Sequence, residues 1–268
     1  MKRHLIRAAS LLMCGMLLLA LGACGKSASQ GDLLSRIKDK GELIIATEGD
    51  WAPWTYHDES DALVGLDVEL GKLIADGLGV KAVFQETDWD SILTGVKSGR
   101  FDIACNGVGY TEKRAEDYNF TQTYIYTQMG LVVRSDNSDI LTVNDLAGKT
   151  TANSPSSTYA EIAEQYGATV SFVNTIQETM TLLEQGRVDA TINSMESIQD
   201  YLIQHPEAKV KVVQVLPGEE MVIPARKDAD TQSLIRAINE ILDAARKDGR
   251  LRDLSEKYFH LDLTPPAN

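Results

Sequence analysis

Eight nearly identical letters occur twice in this chain, as GRFDIACN at residues 99–106 and as GRVDATIN at residues 186–193. In each copy a helix-like segment ends at glycine, an arginine begins a short apolar strand, and an asparagine ends that strand. A helix–Gly-Arg–strand turn is common by itself, so one copy would indicate little. Two copies at equivalent positions of similar element series predict two similar lobes, with a small molecule bound between them.

The segments around the first copy alternate between strand-like and helix-like patterns. The predicted elements are a strand at 43–46, a helix within 63–79, a strand at 80–84, a helix at 89–99 and a strand at 101–105. Asp67 is the predicted cap of the first of these helices. This βαβαβ order is typical of a mostly parallel sheet that is covered by helices.

The same order of elements starts again after a turn at Gly148. The predicted elements are a strand at 150–153, a helix at 157–167, a strand at 169–173, a helix at 176–186 and a strand at 188–192. The segment 221–259 predicts a strand, a long amphipathic helix and a shorter helix, which we expect to pack on the first lobe. The chain would then cross between the lobes near 126–128 and near 216–220, and two crossings make a hinge.

Asn106 and Asn193 end the two repeated strands. In open parallel sheets, ligands lie beyond the carboxyl ends of the strands. Two lobes that face each other across such edges form a cleft, with one asparagine on each side. We therefore expect both asparagines to contact the ligand.

The N-terminus has the features of an export signal. Lys2, Arg3 and Arg7 precede an apolar run at 11–21, which is shorter than the ~20 residues that a membrane-spanning helix needs. The letters LGAC, which end at Cys24, resemble the lipobox of bacterial lipoproteins; an ordinary signal peptide with a chance cysteine is the alternative. The resemblance implies cleavage before Cys24 and attachment of several acyl chains, palmitate among them, which would anchor the protein stably.

The charge balance and the cysteines exclude several functions. The chain has 26 Lys and Arg against 39 Asp and Glu, so nucleic acid is not an expected partner.

Cys14 would leave with the signal and Cys24 would carry lipid, which leaves Cys105 without a disulfide partner. Cys105 lies in an apolar strand, where a buried core residue is expected. No metal-ligand spacing occurs, and no cofactor is expected.

Residues 41–262 resemble the solute-binding proteins of polar amino-acid ABC transporters. The motifs that carry the resemblance are WAPWTY (51–56), LVGLDVEL (63–70), WDSILTGVKSGRFDIACNGVGYTEKRAEDYNFT (89–121), LAGKTTANSPSSTYAEIAEQYG (146–167), LLEQGRVDATIN (182–193) and DGRLRDLSEKYF (248–259). The resemblance implies an α/β, two-lobed periplasmic-binding-protein-like (type II) fold with two hinge strands, which closes on one ligand.

The resemblance also implies a division of the chain. Residues 1–23 are expected to be the lipoprotein signal peptide and residues 24–40 a lipidated tether. Residues 41–126 and 217–268 are expected to form the first lobe, and residues 127–216 the second lobe.

Arg114 is the predicted anchor for the α-carboxylate of the ligand. A carboxylate in a closed cleft requires matched donors, and arginine supplies a bidentate fork. The arginine of the family motif T-x-x-R has this role, which points to Arg114; by itself, the residue would be interpreted as a surface arginine paired with Glu112 or Asp117. Gly107 and Gly109 of the same loop leave backbone groups open to a close ligand.

A predicted helix start in the second lobe also favours an anion. Ser157 and Thr158 occupy its first turn, where free backbone N–H groups and the helix dipole attract negative charge. Plain capping by these two residues is compatible with that role. A carboxylate that is held by Arg114 and by this helix start would contact both lobes and stabilise their closure.

Tryptophan residues form the expected pocket for the ligand's side chain. Trp51 and Trp89 match family positions that line this pocket, where an aromatic wall suits stacking, thioether or cation–π contacts. Trp54 is expected in the core.

Ser194 stands where many family members carry the aspartate that holds the α-ammonium group. A buried ammonium group still needs an acceptor. Glu48, Glu196 and Asn193 are the candidates, and Glu48 is favoured.

The resemblance implies a monomeric, extracytoplasmic lipoprotein on the cell membrane that is not an enzyme. It would capture a free polar amino acid by lobe closure and deliver it to the transmembrane subunits of an ABC permease. The wording NSPSSTY and WAPWTYHDE most resembles cystine- or cysteine-type binders, although another small polar amino acid also fits.

Two alternative functions remain open at this point. An enzyme on the same fold, such as a dehydratase, is one alternative, but His57, His205 and His260 lie outside the cleft motifs. A ligand-loaded partner of a receptor is the other.

Overall fold

The computed structural model describes residues 31–266. The predicted signal peptide, the lipobox and Cys24 therefore lie outside the described residues. Between residues 31 and 266, no helix has both the length and the apolar character that crossing a membrane requires.

A three-stranded parallel sheet forms the centre of the first lobe. The elements of this lobe before the first crossing are α1 Leu33–Lys40, β1 Glu42–Thr47, β2 Asp50–Trp51, β3 Thr55–His57, β4 Leu63–Val64, α2 Leu66–Leu78, β5 Lys81–Glu86, α3 Trp89–Ser98, β6 Ile103–Ala104, α4 Glu112–Ala115, β7 Tyr118–Phe120 and β8 Ile125–Tyr126. The sheet order is β5-β1-β6, and the first repeated stretch supplies β6. Strands β2, β3 and β4 form a small separate antiparallel sheet.

Strand β1 is covered on both faces, which explains its unbroken apolar run. Leu43 and Ile45 belong to a buried cluster with residues of α2. Ala46 belongs to a second cluster with Ile92 and Val96 of α3. A parallel strand with helices on both sides must be apolar throughout.

A five-stranded mixed sheet forms the second lobe. Its elements are β9 Met129–Arg134, β10 Thr150–Asn153, α5 Thr158–Gln165, β11 Thr169–Phe172, α6 Ile176–Glu184, β12 Ala190–Ser194, α7 Met195–Gln204 and β13 Val210–Leu216. The strand order is β11-β10-β12-β9-β13, with parallel pairs on β10 and antiparallel pairs on β9. The mostly parallel sheet that the sequence predicts is thus limited to β11-β10-β12. Only β9 runs the other way, because β13 pairs antiparallel with β9 and so runs in the same direction as β12.

The last segment of the chain returns to the first lobe, as expected. It comprises β14 Glu220–Met221, β15 Pro224–Arg226, α8 Gln232–Asp248 and α9 Arg250–Phe259. Strands β14 and β15 pair antiparallel with β8 and β7. The apolar face of α8, with Leu234, Ile238 and Leu242, lies in the same buried cluster as Ile45.

The two chain crossings lie side by side. The N–H of Thr127 donates to the carbonyl of Glu219 at 3.1 Å, and the N–H of Glu219 donates to Oγ1 of Thr127 at 3.2 Å. The segments are thus tied together where the chain leaves and re-enters the first lobe. The lobe limits at residues 126 and 217 remain predictions.

Asp67 is not the cap of α2, so the sequence prediction is wrong at this point. Gly65 takes the N-cap position, and the side chain of Asp67 is fully buried. Its carboxylate accepts hydrogen bonds from the N–H of Gly107 and from the hydroxyl of Tyr124. Burial raises the pKa of Asp67 to about 7. Partners outside the helix therefore determine where this side chain points.

The doubled stretch performs the same structural task in both lobes. Gly99 is the C-cap of α3, Gly186 directly follows the C-cap of α6, and both glycines are in the left-handed conformation. Oδ2 of Asp102 accepts from the N–H of Ile44 at 2.8 Å, and Oδ2 of Asp189 accepts from the N–H of Thr150 at 2.8 Å. The N–H of each aspartate also donates to the carbonyl of the same partner. Each aspartate therefore fixes the start of the neighbouring strand.

We predict that Asp102→Ala and Asp189→Ala each destabilise the protein, because each leaves a strand N–H without its acceptor. A lost acceptor costs about 1–3 kcal/mol in a buried setting, and the half-exposed Asp102 should cost more than the exposed Asp189. The free energy of unfolding, measured by urea titration, gives the effect. Asp102→Asn and Asp189→Asn keep an acceptor and should cost less. If the asparagine variants lose as much as the alanine variants, the hydrogen bond is not the cause.

Candidate functional site

A cleft of about 590 Å³, part of it open to solvent, lies between the two lobes. It is bounded by segments that follow the carboxyl ends of strands and by the first turns of helices, as expected for open sheets. The first lobe contributes Glu48, Asp50, Trp51, Trp89, Gly107, Gly109 and Arg114. The second lobe contributes Asn153, Ser154, Ser157, Thr158, Tyr159, Asn174, Thr175, Ile176, Thr179 and Asn193, and the second crossing contributes Glu219.

All of the ligand-binding residues predicted from the sequence line this cleft except Asn106. The predicted residues that do so are Glu48, Trp51, Trp89, Gly107, Gly109, Arg114, Ser157, Thr158 and Asn193. The structure thus brings together residues that are far apart in the chain. Their contact with a ligand remains a prediction.

Asn106 lies behind the cleft, which corrects its predicted place in the lining. The residue is fully buried, and its side-chain amide is used within the protein. Oδ1 accepts from the N–H of Glu48 at 2.8 Å and from Oγ1 of Thr55 at 3.1 Å, and Nδ2 donates to Oε2 of Glu48 at 2.6 Å. Asn106 therefore holds the backbone and the carboxylate of Glu48 in position.

Carboxylates line the end of the cleft around Glu48. Burial raises the pKa of Glu48 to about 8, and the neighbouring Asp50 and Asp88 act in the same direction. Burial also raises the pKa of Asp50 above its usual value. A cationic group placed here would favour the ionised carboxylates, so this end of the cleft suits a positive charge.

The guanidinium of Arg114 lies against both lobes. Nη1 donates to the carbonyl of Gly109 at 2.8 Å, and Nη2 donates to the carbonyl of Ser156 in the second lobe at 3.2 Å. Its central carbon lies 5.4 Å from the ring centroid of Trp89, a cation–π distance. Burial lowers the pKa of Arg114, but arginine stays charged at neutral pH. The group has further N–H donors, which suit a carboxylate.

The start of α5 faces Arg114 across the cleft. Ser157 is the N-cap, and its Oγ accepts from the N–H of Ala160 at 3.1 Å. Oγ1 of Thr158 donates to Oε1 of Glu219 at 2.7 Å. The N–H groups of a first helical turn lack partners within the helix, so this end of the cleft suits a negative charge.

Trp54 lies in the core, and its partner explains the place of Ser194. Trp54 is fully buried and stacks on Trp51 with ring centroids 5.5 Å apart. Its Nε1 donates to Oγ of Ser194 at 3.4 Å, and the same Oγ caps α7 by accepting from the N–H of Ser197 at 3.2 Å. Ser194 is therefore occupied within the protein and does not line the cleft.

Of the three candidate acceptors for an ammonium group, Glu48 and Asn193 line the cleft. Glu196 is buried outside the lining, and burial raises its pKa to about 7.

Several lining residues were missed by the sequence analysis. Asn153 is the last residue of β10 and Asn193 the last but one of β12, so the rule on strand ends that pointed to Asn193 would also have found Asn153. Thr175 caps α6 beyond the end of β11, and the same rule applies to it. Glu219 has no such signal, because only the crossing of the chain brings it into the cleft. Among the described residues, Oδ1 of Asn153 and Nε1 of Trp89 have no hydrogen-bond partner, although both atoms are buried.

Comparison with known proteins agrees with this geometry. The model of the bacterial extracellular solute-binding proteins, family 3, matches residues 43–158 and 156–261. The L-cystine-binding protein TcyA of Bacillus subtilis is 36% identical over 254 residues, which cover 91% of this chain and 94% of that protein.

Solved structures also match. An ancestral arginine-binding protein bound to glutamine has a TM-score of 0.77 and 32% identity, covering 82% of this chain and 99% of that one. The L-cystine solute receptor of Neisseria gonorrhoeae, in the unliganded open conformation, has a TM-score of 0.58 and 36% identity, covering 88% of this chain and 100% of that one. The predicted two-lobed, type II fold is thereby confirmed.

We predict that Arg114→Ala weakens binding of an amino acid by at least ~100-fold. A charge-assisted hydrogen bond contributes roughly 1.5–3 kcal/mol, stranding a buried charge costs about 3–5 kcal/mol, and ~1.4 kcal/mol is tenfold in affinity. Arg114→Lys should restore binding only in part, because lysine lacks the planar fork.

Arg187 provides the control, because it is an arginine of the second repeated stretch that is exposed and lies outside the cleft. Arg187→Ala should leave affinity within a few-fold. Calorimetric titration of the variants measures both effects. Normal binding by Arg114→Ala, or loss of binding by Arg187→Ala alone, would show that the site is elsewhere.

Proposed function

The chain belongs to the bacterial extracellular solute-binding proteins of family 3, and on that premise we propose that it captures a free polar amino acid, first of all L-cystine, and delivers it to an ABC importer. The observation that carries the proposal is the distribution of charge in the cleft. Donors from Arg114 and the start of α5 form one end, and the carboxylates of Glu48 and Asp50 form the other. An amino acid with a carboxylate at one end and a second cationic group at the other fits both.

L-cystine meets this description, because it carries an amino-acid group at each end of a disulfide. Trp51 and Trp89 also line the cleft, and sulfur packs favourably against aromatic rings. TcyA, the relative described above, is named for L-cystine. Arginine also has a cationic side chain, so the choice between the two needs an experiment.

Contacts between the lobes support capture by closure. The polar pairs that join them include Arg114 Nη2 to Ser156 O at 3.2 Å, Lys113 Nζ to Glu161 Oε1 at 2.6 Å and Trp54 Nε1 to Ser194 Oγ at 3.4 Å. The chain is also more similar in structure to the glutamine-bound protein than to the open cystine receptor, despite a lower sequence identity. A ligand that contacts both lobes would stabilise such an arrangement.

The cleft does not favour an enzyme. No histidine is among the residues that line it in the described part of the chain, and the relative and solved structures compared above are named as binding proteins or a receptor. Capture without chemical change fits both observations.

A thermal-shift screen with L-cystine, L-cysteine, L-arginine, L-glutamine and D-cystine tests the proposed function. A ligand that binds only the folded state raises the melting temperature. We expect the largest rise with L-cystine and none with D-cystine, whose ammonium and carboxylate groups are exchanged in space. A larger rise with L-arginine would identify L-arginine as the ligand instead of L-cystine and would leave the proposed function unchanged. The proposed function fails if no amino acid raises the melting temperature.

We also propose that the protein is anchored by lipid on Cys24, on the extracytoplasmic side of the cell membrane. The support is the lipobox wording LGAC after a short apolar run. Cys24→Ser should move the protein from the membrane fraction to the soluble fraction, and Cys14→Ser, within the signal, should leave it in the membrane fraction. Unchanged fractionation of Cys24→Ser would contradict the anchor.

A further inference from the structure

Glu219 is a carboxylate that the second crossing carries into the cleft. Its backbone is tied to Thr127 of the first crossing by two hydrogen bonds. Its side chain accepts from Oγ1 of Thr158 at 2.7 Å and lines the cleft. The residue therefore has a fixed position relative to the hinge and to the start of α5.

In the described part of the chain, the carboxylate of Glu219 has hydrogen-bond donors near it but no ion-pair partner. Burial raises the pKa of Glu219 above its usual value, while the hydroxyls of Thr158 and Tyr159 and the nearby Arg114 act in the opposite direction. The Nη atoms of Arg114 donate to the carbonyls of Gly109 and Ser156 instead. Among residues 31–266, no lysine or arginine forms an ion pair with Glu219. A buried carboxylate in this situation gains from an added cation.

Gly109 makes the space that this carboxylate occupies. A Cβ atom at position 109 would overlap Oε1 of Glu219. Any residue larger than glycine would therefore displace the carboxylate or shift the loop. A glycine at position 109 thus leaves room for the carboxylate at position 219.

We infer that Glu219 receives the α-ammonium group of the bound amino acid; this inference rests on the proposed function. The carboxylate and the ammonium group of an amino acid are attached to the same carbon. The ammonium acceptor must therefore lie beside the carboxylate donors, and Glu219 lies beside Thr158 and the Gly109 carbonyl to which Arg114 donates.

Glu48, which the sequence analysis favoured for this role, contacts Asn106 and has Asp50 and Asp88 as its charged neighbours. It belongs to the other end of the cleft. Ser194 offers only a hydroxyl, which caps α7 and accepts from Trp54. Glu219 thus supplies the negative charge that position 194 lacks, and Glu48 is left to receive a cationic group of the ligand's side chain.

Glu219→Gln is the test, because it keeps the size and the hydrogen-bond acceptor but removes the charge. Truncating one partner of a buried charge pair is costly, so L-cystine should bind at least ~30-fold more weakly to this variant. Every other amino acid that the unchanged chain binds should weaken by a similar factor, because all share the α-ammonium group. Glu220→Gln, which changes the exposed neighbour, is the matched control and should bind as the unchanged chain does.

The melting temperature of the empty protein separates a binding role from a structural one. Removing a buried carboxylate that lacks an ion pair should leave the empty Glu219→Gln variant as stable as the unchanged chain, or more stable. Weaker binding together with a lower melting temperature of the empty protein would indicate a structural role and overturn the inference.

Affinity that is unchanged or increased in Glu219→Gln would also overturn the inference. An increase would show that Glu219 competes with the ligand's carboxylate for Thr158. If the unchanged chain binds no amino acid in the screen, the proposed function fails and this inference fails with it. Binding by the unchanged chain with normal binding by Glu219→Gln refutes only the role of Glu219.

Discussion

A charge that leaves water must find partners in the protein, and the guanidinium of Arg114 finds them in both lobes. It donates to Gly109 in its own lobe and to Ser156 in the other, and it lies over the ring of Trp89. The same group therefore defines the end of the cleft that suits an anion and joins the two lobes. Under the proposed function, a carboxylate bound there would add contacts to both lobes at once, and binding and closure would then be parts of one equilibrium.

The two carboxylates of the cleft, Glu48 and Glu219, are positioned by different kinds of chain segment. Glu48 follows a strand of the first lobe and is held by the buried side chain of Asn106. Glu219 comes from the crossing between the lobes and is held through Thr127 and Thr158. The hydrogen-bond partners of Glu219 thus lie in the second lobe and in the first crossing. If Glu219 receives the ammonium group as inferred above, this position would couple recognition of that group to closure.

Local patterns predicted most of the helices and strands, because the spacing of apolar residues differs between helices and strands and can be read from the sequence. The doubled stretch indicated two lobes, and the rule on strand ends placed Asn193 in the cleft. The resemblance, and not the pattern, singled out Arg114. Prediction failed where tertiary contacts determine the position of a side chain. Asp67 bonds to Gly107 and Tyr124 instead of capping its helix. Asn106 lies two residues beyond the end of β6 and is buried in the protein, and Glu219 reaches the cleft only through a contact between distant segments.

Solution scattering with and without L-cystine tests the central claim most directly, which is that one ligand draws two lobes together at Arg114. The account predicts a smaller radius of gyration at saturating ligand than in its absence, and no such change in Arg114→Ala at the same concentration. An unchanged radius of gyration in the unchanged chain, with saturation confirmed by calorimetry, would contradict the account.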